Sequence, residues 1–307
     1  MRKIDEIRES GRPIVVSVSG GKDSLAMALY LREQQMEKTN KLYYVYADTG
    51  WEHPELYQYI DEVVEPLLAP DFYRVKSKKY PGGMPELVEK RGMFPSRKIR
   101  FCTQELKVFP IRDFIKELDG DPINAVGIRA QESFRRSKMD EWDSGGPLDV
   151  DTWRPLIDWI VDDVVAIHSR NNIRPCPLYL RDELPASRVG CWPCIMSRKD
   201  EIRAVAETDP NRIVQIRTLE QKVADKARER YAKKGETFES LGYTPPTFFQ
   251  SREGTGAMWP IDKVAEWSRT SWGGKQLELF VPNDPSERGC VLWGLCDMPD
   301  ADGEFSA

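Results

Sequence analysis

The segment Ile14-Val15-Val16-Ser17-Val18-Ser19-Gly20-Gly21-Lys22-Asp23-Ser24 constrains this chain most. A short β-branched apolar run reads as a buried strand. It ends in a turn of small residues, and the helix-forming stretch 24–37 follows at once. Strand, tight loop and helix N-terminus in immediate succession open an α/β unit. Gly20 and Gly21 let the backbone approach an anion closely. The first-turn amides of the helix aim at the same point, the hydroxyls of Ser19 and Ser24 flank it, and Lys22 adds a point charge. The local chemistry is that of a phosphate cradle, although the spacing of a Walker loop is absent.

The pattern continues along the chain. Residues 42–47, 72–76 and 123–128 read as further strands; the stretches opening at His53-Pro54-Glu55 and spanning 109–118 read as helical, and 156–170 as a short turn and a helix. Strands alternating with helices imply a mostly parallel sheet covered by helices. Ligands on such sheets bind at the carboxyl ends of strands. Ser19, Asp48 and Arg129 all follow strands directly. From residue 200 the texture changes to a charge-rich helical stretch, interrupted at Asp209-Pro210, then a Pro/Gly/aromatic segment and a short helix over 262–269. The division expected is a nucleotide-binding domain over 1–199 with a cysteine cluster near its end, and a mainly helical, partly irregular region over 200–307. The acidic tail 299–307 reads as disordered.

A formal charge of −5 gives no global attraction to nucleic acid or to an anionic membrane. No apolar run reaches transmembrane length, and MRKIDEIRES carries no signal-peptide core, so a cytoplasmic location is expected. Six cysteines in that setting read as metal ligands or redox groups rather than disulfides. With two histidines, His53 and His168, a His-rich metal site is excluded.

Ser19-Gly20-Gly21-Lys22-Asp23-Ser24 resembles the Ser-Gly-Gly-x-Asp-Ser loop of the PP-loop ATP pyrophosphatases. Three more segments resemble the phosphoadenosine phosphosulfate reductase branch of that family: Asp48-Thr49-Gly50 with its continuation to Glu55, Gly127-Ile128-Arg129-Ala130-Gln131-Glu132-Ser133, and Pro155-Leu156-Ile157-Asp158-Trp159. The resemblance spans residues 12–200. It implies an adenine nucleotide alpha-hydrolase-like fold, ATP with Mg2+ as ligands, nucleotide contacts from Ser17, Ser19, Gly20, Gly21, Lys22, Asp23, Ser24, Asp48 and Gly127, and catalytic roles for Lys22, Asp23 and Arg129. Trp153 and Trp159 read as core residues rather than contacts.

Cys191-Trp192-Pro193-Cys194 is a C-x-x-C, which taken alone suits zinc, an iron–sulfur cluster or a dithiol. Cys102-Thr103-Gln104-Glu105-Leu106-Lys107-Val108 resembles the Cys-Cys segment of iron–sulfur adenylylsulfate reductases, with Thr103 replacing the second cysteine. The segment 190–195 resembles iron–sulfur ATP pyrophosphatases of DNA phosphorothioation systems and their phage-borne relatives. The resemblance implies a [4Fe–4S] cluster, favoured over zinc, on Cys102, Cys191 and Cys194. Either Cys176 adds a fourth thiolate or one iron is open. Cys290 and Cys296 read equally as packing residues or as a sulfur relay. The basic stretch Lys90 to Lys107, with Arg135, Arg136 and Lys138, reads either as a solvated face or as an anion-binding rim.

Together these features point to an iron–sulfur ATP pyrophosphatase that adenylates an acceptor for sulfur transfer. A sulfur donor such as a cysteine desulfurase and a DNA or RNA acceptor are the partners implied, with no membrane partner. The alternatives are a reductase of adenylyl sulfate or phosphoadenosine phosphosulfate, and a non-catalytic nucleotide-binding partner in a DNA-modification or phage-defence assembly.

Overall fold

A computed structural model describes residues 3–270, apart from 97, 146–147, 182–185, 187, 239 and 250–257. Cys290, Cys296 and the acidic tail lie outside the described residues. Six strands form one sheet: β1 (Ile14–Val18), β2 (Leu42–Ala47), β3 (Phe72–Val75), β4 (Ile123–Val126), β5 (Trp142–Asp143) and β6 (Thr152–Trp153), in the order β3-β2-β1-β4-β6-β5. All neighbours are parallel except β5 and β6. The chain builds outward from β1 to β3, then returns to β1's other side with β4. That reversal makes the gap beyond β1 and β4 a topological switch point.

The helices are α1 (Lys3–Ser10), α2 (Lys22–Glu33), α3 (Pro54–Tyr59), α4 (Glu65–Leu68), α5 (Gly83–Arg91), α6 (Phe101–Thr103), α7 (Phe109–Ile115), α8 (Val161–Arg170), α9 (Lys199–Thr208), α10 (Pro210–Ala232) and α11 (Ile261–Ser268). The expected helix over 24–37 starts two residues earlier and stops at Glu33, because Gln35 turns left-handed at φ 55° and a 3-10 turn, Met36–Lys38, follows. α3 opens where His53-Pro54 predicts: His53 Nδ1 accepts from the Glu55 amide at 3.0 Å, and Pro54 occupies the position that needs no donor. α9 and α10 break at Asp209, whose side chain caps the Arg212 amide. The two-residue strands β5 and β6 carry too short a pattern to be read from sequence.

α1, α2 and α8 cover one face of the sheet through Ile4, Leu25, Leu29, Val164 and Ile167, around the fully buried Trp153. The opposite face is covered by α7. A further core joins Trp51, Leu87, Phe94 and Phe101 to Trp192, Val205, Ile216, Val223 and Phe248. Residues on both sides of position 200 therefore share one packed interior. Arg212 lies over the Trp51 ring at 4.3 Å and donates to the Glu52 carbonyl at 3.2 Å.

Candidate functional site

The loop after β1 is shaped by its own residues. Gly20 has φ +71°, and a Cβ there would stand 2.7 Å from Leu56 Cδ1. Only glycine takes this backbone without strain and leaves room for α3 behind it. Ser24 turns back over the loop: its hydroxyl donates to Gly21 O at 3.0 Å and accepts from the Ser19 amide at 3.1 Å. The Ser19 and Ser24 hydroxyls are 3.1 Å apart. Gly21 caps α2 with no side-chain hydrogen bond to the helix's first turn. Ser17 is committed sideways, to Asn124 Oδ1 on β4 at 3.0 Å.

Lys22, Asp23 and Arg129 meet at the switch point. Arg129, 4% exposed, donates from Nε to Asp23 Oδ1 at 2.5 Å and from Nη1 to Gln131 at 2.6 Å. Lys22 Nζ reaches Asp23 Oδ2 at 3.3 Å and lies 5.0 Å over the Tyr179 ring. Asp23 thus spaces two cations beside the loop and itself sits in the first turn of α2, where negative charge is favoured. Gly127 has a packing role: a Cβ there would meet Asp23 O at 2.7 Å and Ser24 Cα at 2.9 Å, so its hydrogen is what lets the end of β4 lie against the start of α2. Two residues that the sequence reading did not assign complete the support. The Tyr179 hydroxyl accepts from the Lys22 amide at 3.4 Å, and His168 Nε2 stands 2.9 Å from Lys22 O. His168 Nδ1 stands 3.3 Å from Ile173 O, and burial lowers the ring's pKa against the pull of these two carbonyls.

At the end of β2, Asp48 Oδ1 accepts from the Gly50 amide at 2.8 Å and from Tyr57 at 2.9 Å, and Oδ2 pairs with Lys76 at 2.9 Å. Burial opposes its charge, but Lys76, the Gly50 amide and Tyr57 outweigh it and hold the carboxyl below its ordinary value. Glu52 lies in the same segment, between Asp48 and Glu55. It is buried, and its carboxylate accepts from Thr49 at 2.5 Å and the Trp51 amide at 3.1 Å, while the single Tyr57 hydroxyl proton is shared between Glu52 at 2.7 Å and Asp48 at 2.9 Å. A cavity of about 120 Å³ opens here, lined by Ser17, Ser19, Tyr46, Glu52, Lys107 and Gly190 among others. Lys107, counted at first with the basic stretch, faces this cavity; the thiol of Cys191 and then Glu52 raise its pKa against the cost of burial. The sequence signal for Lys107 is a charge between apolar Leu106 and Val108; Glu52, between Trp51 and His53, carries no such signal.

The cysteines divide. Cys102, Cys191 and Cys194 share one electrostatic neighbourhood: Cys194 acts on both of the others, and Lys107 lowers the cost of charge on Cys102 and Cys191. Burial nevertheless pushes the Cys191 thiol up to about 11. The C-x-x-C segment is pinned to the loop after β2 by an antiparallel bridge between Glu52 and Cys191, by Trp192 N donating to Trp51 O at 2.8 Å, and by Trp51 Nε1 donating to Pro193 O at 3.1 Å. Cys176 does not join them. It packs in the main core beside Tyr59 and Tyr179, and the charges it senses are Glu55 and Arg181. Among the described residues, no group of three or more His, Cys, Asp or Glu side chains stands at metal-binding separation. The donor set, three thiols rather than four, suits a soft metal by its chemistry.

The basic stretch is not one surface. Lys90 pairs with Glu86 at 2.7 Å, and Arg91 pairs with the buried Glu105 at 2.5 Å while stacking 4.6 Å over Phe101. Lys98 and Arg100 are exposed. So are Phe134, Arg135 and Lys138, in the loop that begins at Arg129. No helix among the described residues is long and apolar enough to cross a membrane.

Residues 13–197 match the family model described as the phosphoadenosine phosphosulfate reductase domain. An uncharacterized 37.8 kDa protein of the gpa 5′ region of Escherichia phage 186 is 31% identical over 333 residues, covering 92% of this chain and 96% of the phage protein. A nin-region protein, ORF290, of Escherichia phage lambda is 35% identical over 148 residues, covering 39% of this chain and 49% of its own length. Among solved structures, the phosphoadenylyl-sulfate reductase of Candida auris in its phosphate complex aligns at 20% identity and TM-score 0.45, covering 59% of this chain and 82% of that one.

Proposed function

Because the chain belongs to the phosphoadenosine phosphosulfate reductase domain family, we propose that it works as an AMP-forming ATP pyrophosphatase that activates an acceptor for sulfur transfer. The observation that supports this reading is the complete Ser19–Ser24 loop at the N-terminus of α2, with Lys22 in it and Arg129 held beside it by Asp23. In the first step an acceptor oxygen attacks the α-phosphorus of ATP. The bond from that phosphorus to the α–β bridging oxygen breaks, and pyrophosphate departs. The loop amides and Lys22 stabilise the charge that grows on it, and Arg129 is the second cation within reach. In the second step a sulfur nucleophile bonds to the activated acceptor atom, and AMP leaves with the acceptor's oxygen. A Mg2+ ion bound with the nucleotide would be held mainly by phosphate oxygens and water and would offset their charge; Asp23 is the carboxylate nearest the loop.

Cys102, Cys191 and Cys194 are proposed to hold a [4Fe–4S] cluster with one iron lacking a protein thiolate, which leaves Cys176 out of the ligand set. Such a cluster would supply a binding point for sulfur. The exposed Arg135 and Lys138 suit a DNA or RNA acceptor's phosphates, and a cysteine desulfurase suits the donor role.

The test is anaerobic product analysis with ATP, adenylyl sulfate and phosphoadenosine phosphosulfate as competing substrates. AMP and pyrophosphate from ATP, lost in Lys22→Ala, is the expected result. Sulfite release from a sulfonucleotide with ATP ignored would replace this reading with a reductase. Iron and sulfide should fall in Cys102→Ser, Cys191→Ser and Cys194→Ser and persist in Cys176→Ser.

A further inference from the structure

Five large apolar side chains are exposed among the described residues: Ile99, Phe134, Ile160, Val214 and Tyr243. Single exposed apolar residues are ordinary on a protein surface. Two of these differ in what flanks them. Ile99 stands between Lys98 and Arg100, and Phe134, the most open of the five at 82%, is followed by Arg135, Arg136 and Lys138. Nearby cations are neutralised in place: Lys79 and Arg91 by Glu105, Lys90 by Glu86, Arg136 by Glu132. Lys98, Arg100, Arg135 and Lys138 are exposed and have no carboxylate partner among the described residues. These two loops therefore carry uncompensated positive charge on a chain whose formal charge is −5.

The loop that carries Phe134 is built rather than slack. Ser137 N donates to Ser133 O at 3.0 Å, Ser137 Oγ donates to Phe134 O at 2.9 Å, and Arg136–Lys138 form a 3-10 turn. Arg136 ties that turn to Glu132, whose carboxylate also accepts from the Arg129 amide at 3.0 Å. Lys138 Nζ lies 5.3 Å from the centroid of the Phe134 ring. An aromatic ring is thus held out in solvent with a cation against it, a few residues from Arg129 and the Ser19–Ser24 loop. The second loop, at Lys98–Arg100, leads directly into α6, which carries Cys102.

An exposed ring among unpaired cations fits a polyanion that also offers flat apolar faces. A single nucleic-acid strand offers both: its phosphates meet the cations and an unpaired base stacks on the ring. In a duplex each base is already stacked and paired, so only phosphates are on offer. An acidic peptide would satisfy the cations and leave the ring in water. Ile99, between Lys98 and Arg100, repeats the same combination on a smaller scale.

We propose that the 129–138 loop docks a single nucleic-acid strand, with one unpaired base on Phe134, its flanking phosphates on Arg135 and Lys138, and Lys98–Arg100 as a second contact; this names the form of acceptor for the reading above and rests on that reading.

Fluorescence anisotropy with labelled oligonucleotides of about 16 nucleotides tests it, using a DNA strand, the same sequence as RNA, and the DNA duplex. One or both single strands should bind at least about tenfold more tightly than the duplex, and the tighter of the two names the polymer. Phe134→Ala, a change at an exposed position, should weaken single-strand binding by about tenfold and leave duplex binding unchanged, and Phe134→Trp should retain the unaltered affinity. Arg135→Gln combined with Lys138→Gln should flatten the salt dependence of single-strand binding by about 1.4 in the log–log slope, the loss of two phosphate contacts. A duplex bound as tightly as either strand would overturn the proposal, as would single-strand affinity unchanged in Phe134→Ala. Calorimetric titration of ATP into the unaltered protein keeps the two readings apart. ATP bound with both strands ignored overturns this proposal alone; ATP ignored as well overturns the pyrophosphatase reading beneath it.

Discussion

Replacing Arg129 by methionine keeps most of the side-chain stem and removes the guanidinium that meets Asp23 at 2.5 Å. The two side chains are 5% and 15% exposed, so solvent cannot replace the lost partner well. Removing one member of a buried pair costs about 3–5 kcal/mol. Here two things soften the loss: Asp23 keeps Lys22 at 3.3 Å, and the first turn of α2 contributes about 0.3–1 kcal/mol to a carboxylate. A net loss of about 2–3 kcal/mol follows. At about 2–4 °C per kcal/mol for a domain of this size, Tm should fall by about 4–12 °C. Urea denaturation followed by circular dichroism, on the unaltered protein, Arg129→Met, Asp23→Asn and the double variant, isolates the pair. The coupling should be about 2 kcal/mol. Coupling below about 0.5 kcal/mol would show that Asp23 does not hold Arg129 in solution, and the arrangement of cations argued for the loop would fail with it.

Gly127→Ala should destabilise by about 1–3 kcal/mol through overpacking alone, since the added methyl meets the backbone of Asp23 and Ser24; a chemical-denaturation midpoint within error of the unaltered protein would refute the packing role. Asp48 is held below its ordinary value of 3.8, so its contribution to stability is fully present above pH 3.8 and is lost as pH falls through the lower folded value. Asp48→Asn should therefore be less stable than the unaltered protein at pH 7, with the gap closing below pH 3.8; a gap that is constant with pH would contradict the hydrogen bonding described. Burial pushes the Cys176 thiol up to about 12, so it should resist iodoacetamide at neutral pH in the native protein and react once the chain is unfolded in urea. Mass mapping that finds Cys176 alkylated equally fast in both states would refute its place in the core.

What was legible in the sequence is what rests on neighbours along the chain. The run Ile14–Val18 had to be a strand, Gly20 had to turn, and Ser24 and Asp23 had to begin a helix, because periodicity and backbone sterics act within a few residues. The same local rules placed β2, β3, β4, the start of α3 and the break at Asp209. They failed at β5 and β6, where pairing with a distant strand, not intrinsic pattern, makes two residues extended. The four cysteines show the limit well: the Cys191–Cys194 spacing was visible and the family resemblance put Cys102 with it, but whether Cys176 comes near was not legible.

The sequence by itself determined that this is an α/β chain with a Gly- and Ser-rich loop between its first strand and the helix that follows, and which residue types line that loop. Only the tertiary structure decided that β4 returns beside β1, which brings Arg129 to Asp23 across 106 positions, sets His168 and Tyr179 under Lys22, and buries Glu52, Tyr46 and Lys107 around one cavity. The reason is physical: local propensity is a property of a few consecutive residues, whereas burial and charge pairing depend on what the folded chain brings alongside, and no spacing in the sequence encodes that distance.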